Sequence, residues 1–381
     1  IGPLSFSLHI GAYRLTQVNF FFADNKYGAK APHISRKGFD VMPFNPKRVL
    51  FEQDALKYPL GRKLFDNFKG KDVQTGMLKS HNRVTDIPGK TPAQAYSEGK
   101  STLVVGVRRT LNFESCKPSA HYQLPLATGC MGMCMYCYLN TQLGKKPYMR
   151  VYVNVEEILA KASEYIKQRE PDITYFEGAA TSDPVPVEPY TGILRQTIDF
   201  FGSQELGRFR FVTKFTDVEG ILEAVHNGHT TVRFSLNAAN VIKKYEHRTP
   251  GAEERVSAAK KIAEHDYPLG FIIAPVLLYE GWKKDYGELL YMLKDKLDTY
   301  KNRSICFEII SHRFTSRAKK NISEIFPGND LPMNEEERRF KYGQFGYGKY
   351  VYDKEQLSDM ESFFRERIAE IFPNGRIDYI I

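Results

Sequence analysis

Three cysteines fall within eight residues, Cys130-Met-Gly-Met-Cys134-Met-Tyr-Cys137, and no other feature constrains the chain as much. Thiolates are the natural ligands of soft metals and iron–sulfur clusters. Gaps of three and then two residues let one short loop wrap a cluster face and supply three thiolates. A four-iron cube has four corners, so three protein ligands leave one iron open to a ligand that is not protein. A structural zinc site is the competing reading. Zinc takes four ligands, usually from paired C-x2-C elements. No second pair exists here: Cys116 and Cys306 each stand alone, although Cys116 is near enough in sequence to be a fourth ligand.

The chain has 381 residues, 42% hydrophobic and 13% aromatic, enough to bury a large core and to exclude global disorder. No run of about 18 apolar residues exists, so no membrane span is expected. Five cysteines, three of them clustered, do not make a disulfide framework and suit a reducing cytoplasm. A net charge of +9 and a pI near 9.0 favour a polyanionic partner, nucleic acid first; a merely solvated basic surface is the alternative. Residues 1–41 read as an added extension, with Met42 a plausible start. The apolar Asn19–Phe22 lacks the flanks of a signal peptide.

A helix is expected near Glu52–Lys69 and a buried strand at Ser101–Val107. From about residue 120, short apolar stretches alternate with longer amphipathic ones. The expected strands are Tyr122–Thr128, Ile173–Glu177, Arg208–Val212, Thr231–Leu236, Leu269–Val276 and Ile305–Ile310. The expected helices are Val155–Gln168, Tyr190–Phe201, Val218–His226, Gly251–His265 and Tyr286–Leu297. This alternation implies βαβ units and a parallel sheet. Six units suit an open, partial (β/α)6 barrel; a doubly wound sheet has the same local signature.

The C-x3-C-x2-C spacing, with Tyr136 before the last cysteine, resembles the radical S-adenosylmethionine (SAM) superfamily. The resemblance implies that the open iron chelates SAM, whose reductive cleavage gives a 5′-deoxyadenosyl radical. In parallel barrels functional residues sit at the C-terminal strand ends. There the sequence puts Cys130, the stretch Glu177–Asp183, Lys214, Ser235 with Asn237, and Ala274 with Pro275. Such small, polar and cationic groups suit a carboxylate, ribose hydroxyls and an adenine edge. Taken one at a time, each has an ordinary loop or capping role as its alternative.

Beyond residue 310 the pattern changes. His312–Lys320 is basic with one aromatic, and Asn334–Arg339 carries mixed charge at helical spacing, read as a solvated helix face. Lys341–Tyr352 alternates glycine, aromatics and lysine. Gly343, Gly346 and Gly348 permit a tight hairpin. Its aromatic tip can stack on bases or wedge a duplex while lysines bind phosphate; a hairpin packed on the barrel is the alternative.

The stretches Leu126–Leu139, Tyr152–Ile158, Phe211–Phe215, Pro268–Pro275 and His312–Thr315 resemble the spore photoproduct lyase family, over about residues 42–381. The resemblance implies a DNA repair lyase that restores 5-thyminyl-5,6-dihydrothymine to two thymines. The cofactors implied are a 4Fe-4S cluster and SAM. The partners are ultraviolet-damaged DNA and a flavodoxin- or ferredoxin-like electron donor, the location the cytoplasm of the spore core, and the chain a monomer. The radical takes hydrogen from C6 of the lesion, the methylene bridge breaks, and a cysteine thiol returns hydrogen. It further implies that Cys130, Cys134 and Cys137 ligate the cluster, and that Tyr136 and Tyr138 lie near SAM and relay the radical. Ser182, Lys214, Ser235, Asn237 and Ala274 hold SAM. Tyr138, Arg313, Lys341, Gln344, Phe345, Tyr347 and Lys349 contact DNA, with Gln344-Phe345 standing where relatives carry Arg-Tyr. The donor cysteine belongs immediately before Thr181, where this chain has Ala180. Controlled hydrogen return from this position is therefore expected to be lost; an engineered variant is the favoured explanation, with a divergent protein or one using another donor as the alternatives. Four segments result: 1–41, an N-terminal segment 42–119, a barrel 120–310, and a C-terminal hairpin region 311–381.

Overall fold

The computed structural model describes residues 44–381 except 81–82, 140–142, 301 and 343–347. The expected extension 1–41 and hairpin-tip residues Gln344, Phe345 and Tyr347 lie outside the described residues.

Six strands hydrogen-bond side by side in chain order, all parallel: β1 (Ala120–Gln123), β2 (Thr174–Glu177), β3 (Gly207–Thr213), β4 (Thr230–Leu236), β5 (Leu269–Val276) and β6 (Cys306–Ser311). A doubly wound sheet would reverse its order at a switch point. This sheet never reverses, and it curls into the partial (β/α)6 barrel. A seventh strand, β7 (Arg376–Ile380), extends it in parallel beyond β6, which the sequence reading did not anticipate. At the other edge, Ser115–Cys116 pairs antiparallel with β1.

The expected strand Tyr122–Thr128 is split. Pro125 lacks a backbone N–H and cannot continue a ladder, so the chain turns after Gln123. Ala127–Thr128 then joins a second sheet with Gln74–Met77, Arg48–Phe51, Thr102–Gly106 and Met149–Tyr152. That sheet crosses the expected boundary at residue 119, tying the N-terminal segment to the loop that carries the cysteines.

Helix Val155–Gln168 forms as expected. Glu52–Lys69 resolves into a 3-10 turn at Gln53–Lys57 and a helix at Pro59–Phe68, because Pro59 restrains the residue before it and starts a new helix. Tyr190–Phe201 breaks at Gly192, whose φ of 69° is left-handed, into Glu188–Thr191 and Ile193–Gly202. The buried Glu188 carboxylate caps the second piece, accepting from the backbone N–H of Leu194 at 2.7 Å and Arg195 at 3.0 Å. The expected helix Val218–His226 is only a short turn at Glu219–Ile221. Gly220 disfavours a longer helix, and the segment lies flush on the preceding helix. A Cβ on Gly202 would stand 1.8 Å from the Val225 carbonyl oxygen. The mixed-charge stretch Asn334–Arg339 is not helical either. Arg338 instead stacks on the Tyr352 ring at 3.6 Å and donates to the His312 carbonyl at 3.0 Å. Helices Ser316–Ile325 and Lys354–Ile371 were unanticipated.

The barrel core mixes apolar and ionic layers. Phe201 and Phe209 stack at 5.4 Å against Phe176. Deeper inside, Arg233 pairs with Glu177 and with Glu308 at 2.8 Å. Arg210 also reaches Glu308, and the Tyr379 hydroxyl of β7 donates to Glu308 at 2.7 Å.

Burial pushes Glu188 up to about 7. Its native carboxyl therefore holds a proton more tightly than the unfolded one. The stability this gives is full below about pH 4.5 and is lost as pH rises through 7. Glu188→Gln keeps an accepting oxygen and removes the titration. Urea denaturation is expected to show wild-type stability falling by about 3 kcal/mol relative to the variant from pH 4.5 to pH 8.

Candidate active site

The cysteine loop leaves the second sheet after Thr128, through Gly129. Its φ of 83° is left-handed, and a Cβ there would sit 2.1 Å from the Tyr148 carbonyl oxygen. Gly129 donates to the Thr181 carbonyl at 2.8 Å and accepts from Asp183 N–H at 3.2 Å, joining the loop to the end of β2. Further on, Met133–Cys134 pairs antiparallel with Glu246–His247. Two backbone pairings thus fix the loop at both ends.

Cys130, Cys134 and Cys137 line one wall of a cavity of about 570 Å³, and Tyr136, Tyr138, Ser182, Lys214, Ser235 and Ala274 line the others. Burial, with Asp183 beside it, pushes the Cys130 thiol up to about 12. Among the described residues no three His, Cys, Asp or Glu side chains converge closely enough to hold a single metal ion, and Cys116 does not line the cavity. Three thiols lining one cavity are a donor set that a multi-iron cluster can use, whereas a structural zinc ion takes four ligands at about 2.3 Å.

Beneath the loop lies a carboxylate that the sequence reading missed. Glu246 is fully buried and accepts from Lys214 Nζ at 2.9 Å, Arg255 Nη2 at 2.6 Å and the Tyr136 hydroxyl. Burial opposes its charge, but Arg255 and Lys214 outweigh that and bring it down to about 2. Lys214 Nζ also donates to Ser235 Oγ at 3.0 Å. An ammonium has three donors, so one remains for a ligand in the cavity. Asp183, which the sequence put on the rim without a role of its own, accepts from Thr213 Oγ at 2.8 Å and Lys214 N–H at 2.9 Å. Burial holds it up near 6 despite those bonds.

Two expected site residues are placed differently. Asn237 does not line the cavity. Its amide donates to the Pro275 carbonyl at 2.8 Å and accepts from the Tyr286 hydroxyl at 2.7 Å, so it holds the end of β5 in place. Ala180 lines a smaller adjoining cleft of about 180 Å³ with Thr128 and Thr181. Its carbonyl accepts from the Tyr138 hydroxyl, which ties that cleft to the main cavity.

A family model described as spore photoproduct lyase matches residues 44–381. The chain belongs to the spore photoproduct lyase family. It is 54% identical over 335 residues to the spore photoproduct lyase of Clostridium acetobutylicum, covering 88% of this chain and 98% of that one. It is 48% identical over 337 residues to that of Bacillus subtilis, covering 88% and 98%. A solved spore photoproduct lyase double mutant, one cysteine changed to alanine and one serine to cysteine, carries bound AdoMet and dinucleoside spore photoproduct. It superposes with a TM-score of 0.86 at 47% identity over 89% of this chain and all of that one.

In this family member the cavity opens towards a basic, aromatic edge. His312 and Arg313, following β6, line the cavity. Burial and Arg338 push His312 down to about 3, so it is neutral. Phe314 pairs with Tyr350 through two backbone hydrogen bonds, 2.8 and 3.2 Å, and the rings stack at 5.2 Å. This bolts on the hairpin of Arg339–Tyr342 and Gly348–Val351. Lys341 and Lys349 face each other across it. Phe340 and Tyr342 are 47% and 76% exposed, although neither was singled out from sequence; their alternation with lysine was the available signal. Glu246 and Arg255 had no comparable signal, because only folding brings them to each other and to Lys214 and Tyr136.

Removing Arg255 would leave the Glu246 charge buried with less compensation. Arg255→Met is expected to destabilise the protein by about 3–5 kcal/mol in urea. Adding Glu246→Gln should recover part of that loss.

Proposed function

We propose that the chain repairs ultraviolet-damaged DNA by reversing the spore photoproduct to two thymines, with a 4Fe-4S cluster on Cys130, Cys134 and Cys137 and SAM beside it. The observation that carries this reading is that one cavity is lined by three thiols, by Lys214 and Ser235, and by Arg313, whose charge is felt at Lys349 of the basic hairpin. Once reduced by a flavodoxin- or ferredoxin-like partner, the two cofactors supply one-electron chemistry at carbon.

The chain's own residues bind and orient. The spare Lys214 donor suits the SAM carboxylate, and Ser182 and Ser235 suit its polar groups. The backbone at Ala274, held from behind by Asn237, suits the adenine edge. Tyr136 and Tyr138 are held as neutral phenols. Burial raises both, and each hydroxyl donates to a fixed acceptor, Glu246 and the Ala180 carbonyl. On the DNA side, burial, Arg313 and Lys341 lower Lys349, the mark of cations gathered with too few anions between them. Phosphate supplies the missing charge. Phe340 and Tyr342 offer faces for bases displaced from the stack. A lesion leaving the duplex costs a few kcal/mol, less where stacking is already poor.

The hydrogen-return step is the point of departure. Ala180 has no hydrogen comparable to a thiol's, so return from that position fails in this chain. A second reading is favoured by the placement of Cys116 on the edge strand of β1, where its charge is felt at the Tyr138 hydroxyl. Burial, with Glu177 nearby, pushes its thiol to about 12, which keeps it in the hydrogen-bearing form. Anaerobic turnover of reconstituted protein with SAM and dinucleotide spore photoproduct separates the two. If the parent gives aberrant thymine adducts and Ala180→Cys gives clean thymines, the return step is lost here. If the parent is clean and Cys116→Ala is not, Cys116 is the donor. If no variant consumes the lesion, the lyase reading fails.

Binding should be steeply salt-dependent. Lys341→Ala and Lys349→Ala are each expected to lower the slope of log K against log salt by about 1 in fluorescence anisotropy. Unchanged slopes would remove the hairpin from the DNA interface.

A further inference from the structure

Lys100 ends helix Pro92–Lys100, which precedes strand Thr102–Gly106 of the N-terminal sheet. Its side chain is 1% exposed. A buried ammonium is costly unless an anion sits beside it, yet among the described residues no carboxylate pairs with Lys100. Its contacts are the face of the Tyr96 ring, 5.2 Å away, and one hydrogen bond of 2.9 Å from Nζ to the backbone carbonyl of Cys130. Lys100 therefore stands buried behind the cysteine loop with no carboxylate paired to it among the described residues. A cluster held by three thiolates is anionic, and it would arrive on the other side of Cys130.

We propose that Lys100 is a positioning residue for the iron–sulfur centre: it pins the loop at the Cys130 carbonyl and supplies a fixed positive charge that retains the cluster and raises its reduction potential. This rests on the reading that Cys130, Cys134 and Cys137 hold a cluster. Charge and hydrogen bonds in the shell behind metal ligands tune both affinity and potential. The arrangement also explains why the second sheet is stitched into the cysteine loop. It delivers a cation from outside the barrel to a site whose barrel-side cation, Lys214, is already paired with Glu246.

The test compares wild-type protein with Lys100→Met and Lys100→Arg after anaerobic reconstitution, without substrate. Three quantities are read: the midpoint potential by EPR-monitored titration, the rate of iron release to a chelator, and the urea midpoint of the metal-free protein. Lys100→Met is expected to shift the potential to more negative values and to release iron about tenfold faster. Its metal-free form should be as stable as wild type or more so, because a buried charge has gone. Lys100→Arg keeps the charge and should keep the wild-type potential. An unchanged potential and release rate in Lys100→Met overturns the proposal. So does iron loss that merely follows destabilised metal-free protein, which would make Lys100 structural. Wild-type protein that takes up no iron overturns the cluster reading itself, a result distinguishable from either.

Discussion

One buried carboxylate ties the site together. Glu246 binds Lys214 from the end of β3, Arg255 from helix Ala252–Glu264 and Tyr136 from the cysteine loop. Its own backbone pairs with Cys134. Arg255 also donates to the Ser235 carbonyl at 2.9 Å, which brings in the end of β4. Two cations and one hydroxyl thus converge on an anion that burial alone would neutralise. The result is a rigid junction between the thiol wall and the rim where a ligand's carboxylate would lie. A buried network of this kind adds little stability over an apolar one, yet it punishes the loss of any member. Its gain is geometric, because the loop and two strand ends cannot shift separately.

The parallel order of the strands was legible because hydrophobic runs of five to eight residues alternated with amphipathic stretches, as at Leu269–Val276 and Val155–Gln168. Where the reading failed, a local residue or a distant partner had overruled the pattern. Pro125 cut one strand, Gly192 cut one helix, and close packing on Gly202 left no room for another. Half-buried β7 was missed because its burial depends on the neighbouring β6 edge and not on its own alternation.

The cysteines and the rim residues Ser182, Lys214, Ser235 and Ala274 were readable from spacing and from their place at strand ends, and all line one cavity. Asn237 sat at the right strand end but turns its amide to Pro275. Sequence position names the rim but not the direction a side chain takes. Glu246, Arg255 and Lys100 were invisible for a common reason. Each is a buried ionisable group, and its meaning lies in partners that only folding brings to it, such as Arg255 for Glu246 and the Cys130 carbonyl for Lys100. The cavity's two ends also differ in kind. The thiol end is ionically braced by Glu246 with Lys214 and Arg255, while the far end carries Arg313 and the neutral His312.

The account turns on three thiolates leaving one iron open beside Lys214. Mössbauer spectroscopy of iron-57-reconstituted protein, before and after adding SAM, tests this most directly. A single iron site should change its parameters on SAM addition while the cysteine-ligated sites do not. A spectrum indifferent to SAM, or a colourless protein holding stoichiometric zinc, would contradict the account.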